Sequence, residues 1–305
     1  MRFVADWGIV AALIGVFAYY ALKLPDTFPT GGNLLNVLRQ NSFTAVLAVG
    51  MTMTILTGGI DLSIGSVVAL AGVLSASVLA HGGGVATALA AGVALGAVVG
   101  LANGTLVTRV RIPPFLASLA TMLIVRAAAQ KITRGETVRV PDEISAAFGG
   151  LMDGAAPVAV MLVVVVAVWV VLVRTPFGRH VYAVGGSVEA ARLAGIRVLR
   201  VLLGVYVLCG ALAGLAGVMV ASRLNAGDPR TGVGFELDAV AATVVGGTSL
   251  FGGRGSVWGT LAGVFFVGML NNGLNLDGVE SFDQQIVKGC VLLAATSLDL
   301  WRGRD

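Results

Sequence analysis

Charge is what this chain has least of. Asp, Glu, Lys and Arg make up 12% of its 305 residues, about half the share of an ordinary soluble domain. So thin a charged shell excludes a water-soluble globule of this size, and the 57% of hydrophobic residues run along the whole sequence rather than one end of it. Cysteine is nearly missing too. Cys209 and Cys290 both lie in apolar runs and read as small buried hydrophobes, with no spacing that suggests a disulfide framework or a metal site. The two histidines, His81 and His180, stand far apart in expected loops on opposite sides, and no His-Glu-x-x-His occurs. The Gly-rich stretches Gly82-Gly83-Gly84 and Gly252-Gly253-Arg254-Gly255-Ser256 lack the Gly-Lys-Ser/Thr ending that would set a lysine on nucleotide phosphates. No catalytic residue, cofactor, metal or nucleic-acid partner is therefore expected, and any nucleotide has to be bound by another chain.

What is present is a series of apolar runs. A membrane helix takes about 20 mostly apolar residues, and candidates lie near 7–24, 39–57, 64–80, 86–107, 114–130, 157–173, 198–221, 237–248, 257–272 and 284–300. The first is read as a membrane helix and not a cleaved signal, because the bulky Tyr19–Tyr20 pair stands where a small-x-small cleavage site belongs. The eighth is too short to cross as one straight helix and breaks at Gly246–Gly247, which is tolerable only against protein or a water-filled cavity. The expected fold is all-α: one polytopic membrane domain over 1–305 with about ten transmembrane helices, some short or broken.

An even number of spans puts both termini on one side. Placing them in the cytoplasm leaves eleven arginines inside, from Arg2 to Arg304, against eight basic residues outside. Asp6, Asp61, Glu189, Asp299 and Asp305 are the inside acids. The loop 174–200, with Arg174, Arg179, Arg192, Arg197 and Arg200 between two spans, is the strongest local signal for the cytoplasm. The 43 glycines belong to helix packing, since disorder requires low hydrophobicity. Gly92, Gly96, Gly100 and Gly104 recur every four residues on one helix face, and Gly255, Gly259 and Gly263 repeat the pattern in the ninth span. A weak internal similarity links Gly58-Gly59-Ile60-Asp61-Leu62 to Gly246-Gly247-Thr248-Ser249-Leu250.

Within 174–200, Gly185-Gly186 predicts a turn and Ser187 a helix cap. Glu189 suits the positive end of that helix, Ala190, Ala191 and Leu193 continue it, and Gly195 ends it. Glu189-Ala190-Ala191-x-x-x-Gly195 resembles the loop by which the permeases of ABC importers dock on their ATPase. The proline expected further on is replaced by Val205-Tyr206-Val207-Leu208, as in the ribose-type branch of those permeases. The blocks from Leu56 to Ser66, from Gly246 to Gly255, and Leu270-Asn271-Asn272-Gly273-Leu274-Asn275 are similar to the same branch, so the likeness runs from about Asn33 to the C-terminus.

The resemblance implies a monosaccharide permease of a bacterial inner membrane, paired with a second permease subunit, commonly an identical one. A separate ABC ATPase and a periplasmic or extracellular sugar-binding protein would complete it. ATPase coupling would then fall on Gly186, Ser187, Glu189, Ala190, Ala191 and Gly195. Branched-chain amino-acid permeases are the near alternative. An ATP-independent secondary transporter is the distant one, and it would call for more embedded carboxylates than the single Asp61. Asp61 is expected to cap the broken end of the second span or, alternatively, to touch solute. Asn271, with Asn272 and Asn275, either borders the solute path, where amides suit hydroxyl groups, or caps the ninth helix.

Overall fold

Lipid offers no partner to backbone N–H and C=O groups, so apolar runs of this length fold as helices. The computed structural model describes residues 2–302, with side chains from 8 to 297. Its helices are α1 (Arg2–Lys23), α2 (Gly31–Leu56), α3 (Ile64–Ala80), α4 (Val85–Thr105), α5 (Pro114–Thr133), α6 (Asp142–Gly149) and α7 (Ala156–Arg174). They continue with α8 (Pro176–Gly186), α9 (Val188–Leu193), α10 (Val198–Leu224), α11 (Phe235–Val245), α12 (Val257–Leu276) and α13 (Ser281–Arg302). Each of the ten apolar runs coincides with a helix. Among the described residues five segments are long and apolar enough to cross a membrane: Val85–Val110, Pro114–Thr133, Ala156–Arg174, Val198–Leu224 and Val257–Leu276. The protein is an all-α polytopic membrane protein. Of the residues that entered the sidedness count, Arg304 and Asp305 lie outside the described residues, as do the side chains of Arg2, Asp6, Asp299 and Arg302.

The core is built around α2, which is buried without interruption from residue 45 to residue 56. Thr52 and Thr260 join α2 to α12 by a hydroxyl pair at 2.7 Å, and the Thr243 hydroxyl of α11 donates to the Ala48 carbonyl at 3.2 Å. The glycine stripe of α4 faces α10. A Cβ on Gly96 would collide with the backbone of Gly210 and Gly214, and one on Gly100 with that of Tyr206 and Val207. Gly210 and Gly214 press back in the same way on Gly96, Gly100 and Gly92. Without side chains between them the two backbones gain dispersion contacts that lipid tails cannot match. Gly259 and Gly263 do the same against α11, but Gly255 precedes α12 with φ at 156° and packs on Thr248, so the ninth-span stripe is two glycines long. Cys209 is buried, whereas Cys290 is exposed on α13. Apolarity of the flanking sequence does not separate a lipid-facing position from a core one.

Loops from separate helices meet at both ends of the bundle. At one end β1 (Val138–Arg139) pairs antiparallel with β2 (Ala226–Gly227), Lys23 bonds Asp277 at 2.5 Å, and Arg126 reaches the carbonyls of Pro229 and Thr231 at 2.9 and 2.6 Å. Asp277 holds the exposed Lys23 ammonium above its ordinary pKa. At the other end Gly253 N–H donates to the Leu56 carbonyl at 2.9 Å and the Ser118 hydroxyl to that of Ile60 at 3.1 Å. The short helix α11 has eleven residues, about 16 Å at 1.5 Å per residue, and ends at Gly246 and Gly247, the latter with φ at 90°.

Candidate functional site

The segment 174–200 holds two helices, where the sequence suggested one. Thr175 caps α8 by accepting the Gly178 N–H at 3.2 Å, and Pro176 follows at the first helical position, where its missing N–H costs nothing. That start signal carries the helix through His180 to Gly186, so Gly185-Gly186 closes α8 instead of forming a free turn. Ser187 then caps α9, its Oγ accepting the Ala190 N–H at 3.2 Å. Glu189 stands exposed in the first turn. The far end closes with Gly195 N–H bonded to Arg192 O and Ile196 N–H to Ala191 O, both at 3.0 Å, with Gly195 at φ 80°. Ala191 is buried beneath the helix, while Val188 and Leu193, the latter 86% exposed, face outward. A groove of about 440 Å³ runs beside it, lined by Phe177, His180, Ile196, Arg197 and Arg200 among others. A capped helix with apolar side chains turned outward and arginines along its flank is equipped to meet a protein.

Asp61 lies where α2 stops and α3 starts. Gly58, at φ 77°, reverses the chain, and Asp61 is 1% exposed. Its Oδ1 accepts the Ser63 N–H at 2.9 Å, the Ser63 hydroxyl at 2.6 Å and Asn103 Nδ2 at 3.2 Å, and Asn103 also donates to Ser63 Oγ at 2.9 Å. The carboxylate therefore ties the start of α3 to α4. Tyr206 of α10 closes the pocket, its Oη 2.7 Å from the place a Cβ on Gly59 would take. Asn103 and Tyr206 escaped the sequence reading, because a lone Asn and a lone Tyr inside apolar runs carry no spacing signal.

The asparagines near the other end do not share one role. The helix α12 continues to Leu276 and turns at Asp277 and Gly278, so Asn271, Asn272 and Asn275 occupy its last turns and none of them caps it. Asn272 and Asn33 exchange amide hydrogen bonds of 2.8 and 2.9 Å, which fastens α12 to α2. Asn275 Oδ1 accepts Gln284 Nε2 at 2.9 Å from α13. Asn271 is half-buried, and its Oδ1 has no protein partner among the described residues. A polar cleft of about 440 Å³, lined in part by Asn36, Arg39, Asp153, Arg223 and Asn225, opens at the end of the bundle opposite α9. Its residues come from three separate segments, which no local motif could join. Among the described residues no group of three or more His, Cys, Asp or Glu side chains could hold a metal ion.

Comparison with known proteins fits this layout. The family described as the branched-chain amino acid transport system / permease component matches residues 33–296. The chain belongs to this family. The ribose import permease protein RbsC of Escherichia coli (strain K12) is 44% identical over 294 residues, covering 94% of this chain and 91% of that one. RbsC of Bacillus subtilis (strain 168) is 45% identical over 274 residues, 88% and 84% of the two chains. The L-arabinose ABC transporter permease protein AraH of Azospirillum brasilense is 38% identical over 297 residues, 97% and 87%. No solved structure matches. The permease is thus similar to sugar permeases along nearly its whole length, despite the amino-acid label of the wider family. Within it, Tyr182 on α8 donates to the Gly255 carbonyl at 2.9 Å, and burial pushes its phenol pKa up, which keeps it a donor.

Proposed function

We propose that this permease carries a monosaccharide, ribose or a close relative of it, across a bacterial inner membrane, driven by a separate ATPase. A soluble binding protein delivers the sugar at the outer face, and a second permease subunit, most simply another copy of this chain, completes the path. The carrying observation is α9, a capped six-residue helix with Leu193 turned outward, joined to α8 through Ser187 alone and to α10 through a short hydrogen-bonded linker. A stiff external contact is what an ATP-driven permease requires, since nucleotide shifts an inward/outward equilibrium only through differential binding to the two states. On this reading Gly186, Ser187, Glu189, Ala190, Ala191 and Gly195 form the ATPase contact, both termini lie in the cytoplasm, and Asn271 borders the solute path. The full-length similarity to ribose and arabinose permeases supports a sugar over a branched-chain amino acid.

The test is uptake into proteoliposomes that hold the permease, its ATPase and its binding protein. Labelled ribose should accumulate only with ATP inside the ATPase compartment, and leucine should not. Ribose uptake without the ATPase would favour the secondary-transporter alternative, and ATP-driven leucine uptake the amino-acid one.

A further inference from the structure

Glycines from three separate segments meet directly behind α9. Gly253 N–H donates to the Leu56 carbonyl at 2.9 Å. A Cβ on Gly185 would fall inside that same carbonyl oxygen and lie 2.5 Å from the Gly253 nitrogen. One on Gly252 would stand 2.9 Å from the Gly185 carbonyl and 3.0 Å from the Gly58 nitrogen, and one on Gly253 2.9 Å from the Gly186 Cα. The end of α8, the end of α2 and the loop between α11 and α12 therefore touch backbone to backbone. That loop is closed on itself, Ser249 N–H bonding Arg254 O at 2.9 Å and Gly252 N–H bonding Ser249 O at 3.1 Å, and Tyr182 holds it to α8 through Gly255.

We propose that this glycine junction is the mechanical link between α9 and the two broken helix pairs, α2–α3 and α11–α12, with Gly185 as its positioning residue. The proposal rests on α9 being the ATPase contact. Side chains absorb small displacements by changing rotamer, but a backbone contact has none to change, so a shift of α8 passes undiminished to Leu56 and Gly253. From Leu56 it enters the Gly58–Gly59 turn and reaches Asp61, which holds α3 to α4. From Gly253 it enters the loop that ends α11 and begins α12. The two segments of weak internal similarity are thus the two that receive the motion.

The experiment compares four variants in proteoliposomes with ATPase and binding protein, reading ATPase copurification, ATP hydrolysis and sugar uptake. Gly185→Ala should keep the ATPase bound and hydrolysing while uptake per ATP falls about tenfold, within the usual range of a coupling effect. Tyr182→Phe, which removes one hydroxyl and keeps the ring, should lower the same ratio by about twofold to fivefold. Gly96→Ala disturbs an equally close contact away from the junction and should cost membrane abundance but not uptake per ATP. Leu193→Asp should lose the ATPase. Wild-type uptake per ATP in Gly185→Ala overturns the proposal, as does the same result in Tyr182→Phe where Gly185→Ala is not recovered in the membrane. An equal uncoupling in Gly96→Ala overturns it too. Leu193→Asp with its ATPase still bound removes the docking premise, and the proposal with it.

Discussion

Replacing Asp61 separates a structural anchor from a solute contact. Its Oδ1 accepts three donors, two from Ser63 and one from Asn103, in a site that is 1% exposed. In Asp61→Ala the Ser63 N–H and hydroxyl lose their acceptor, while Asn103 Nδ2 keeps Ser63 Oγ at 2.9 Å. Stranding a buried donor costs roughly 1–3 kcal/mol, so the variant, which strands two, should lose about 2–6 kcal/mol and leave the start of α3 loose. Asp61→Asn retains an oxygen at the accepting position and should cost about 1 kcal/mol. The assay is thermal unfolding of the purified permease in detergent, run beside sugar uptake at several concentrations. An anchor predicts a low unfolding temperature for Asp61→Ala, near-normal stability for Asp61→Asn, and an unchanged KM in whatever protein folds. A normally stable Asp61→Asn with a selectively raised KM would refute the reasoning and place the carboxylate on the path.

Reporter fusions after Arg200 and after Asp277 should read cytoplasmic and external respectively, and the reverse pattern overturns the orientation. Gly195→Pro demands φ near −65° where the chain stands at +80° and deletes the N–H that bonds Arg192, so the protein should insert normally yet lose transport coupled to ATP hydrolysis; undiminished uptake would count against the α9 assignment. The Asn271→Ala, Asn275→Ala double variant should change uptake rate or sugar preference with the ATPase still assembled, and unchanged transport removes Asn271 from the path.

Hydrophobic length made the helices legible, because a run of apolar residues long enough to cross the bilayer leaves the backbone one solution. The same signal says little about which helix face points outward: Cys290 was read as buried, yet Gln284, Gln285 and Lys288 stand close before it on α13 and only Cys209 reaches the core. Local punctuation was legible where one residue sets the geometry, as at Ser187 and Gly195. Pro176 was the overlooked start signal of α8. The asparagines were hard for a different reason. Three amides within five residues read as one feature, but a helix turns each its own way: Asn272 to Asn33, Asn275 to Gln284, and Asn271 with an Oδ1 that meets no protein donor among the described residues.

The distribution of polar contacts completes the mechanical argument. Along the middle of the bundle, α4 and α10 meet through glycines and are held by close backbone packing. At the two ends the contacts are hydrogen-bonded and specific: the paired amides of Asn33 and Asn272 and the β1–β2 ladder at one end, the Leu56–Gly253 and Tyr182–Gly255 bonds at the other. Backbone contacts have no rotamer to change, so α4 and α10 hold together as one body while the bonded ends keep register. On the proposed link, a displacement imposed at α9 is carried along the bundle by whole helices, and a single breathing side chain cannot dissipate it.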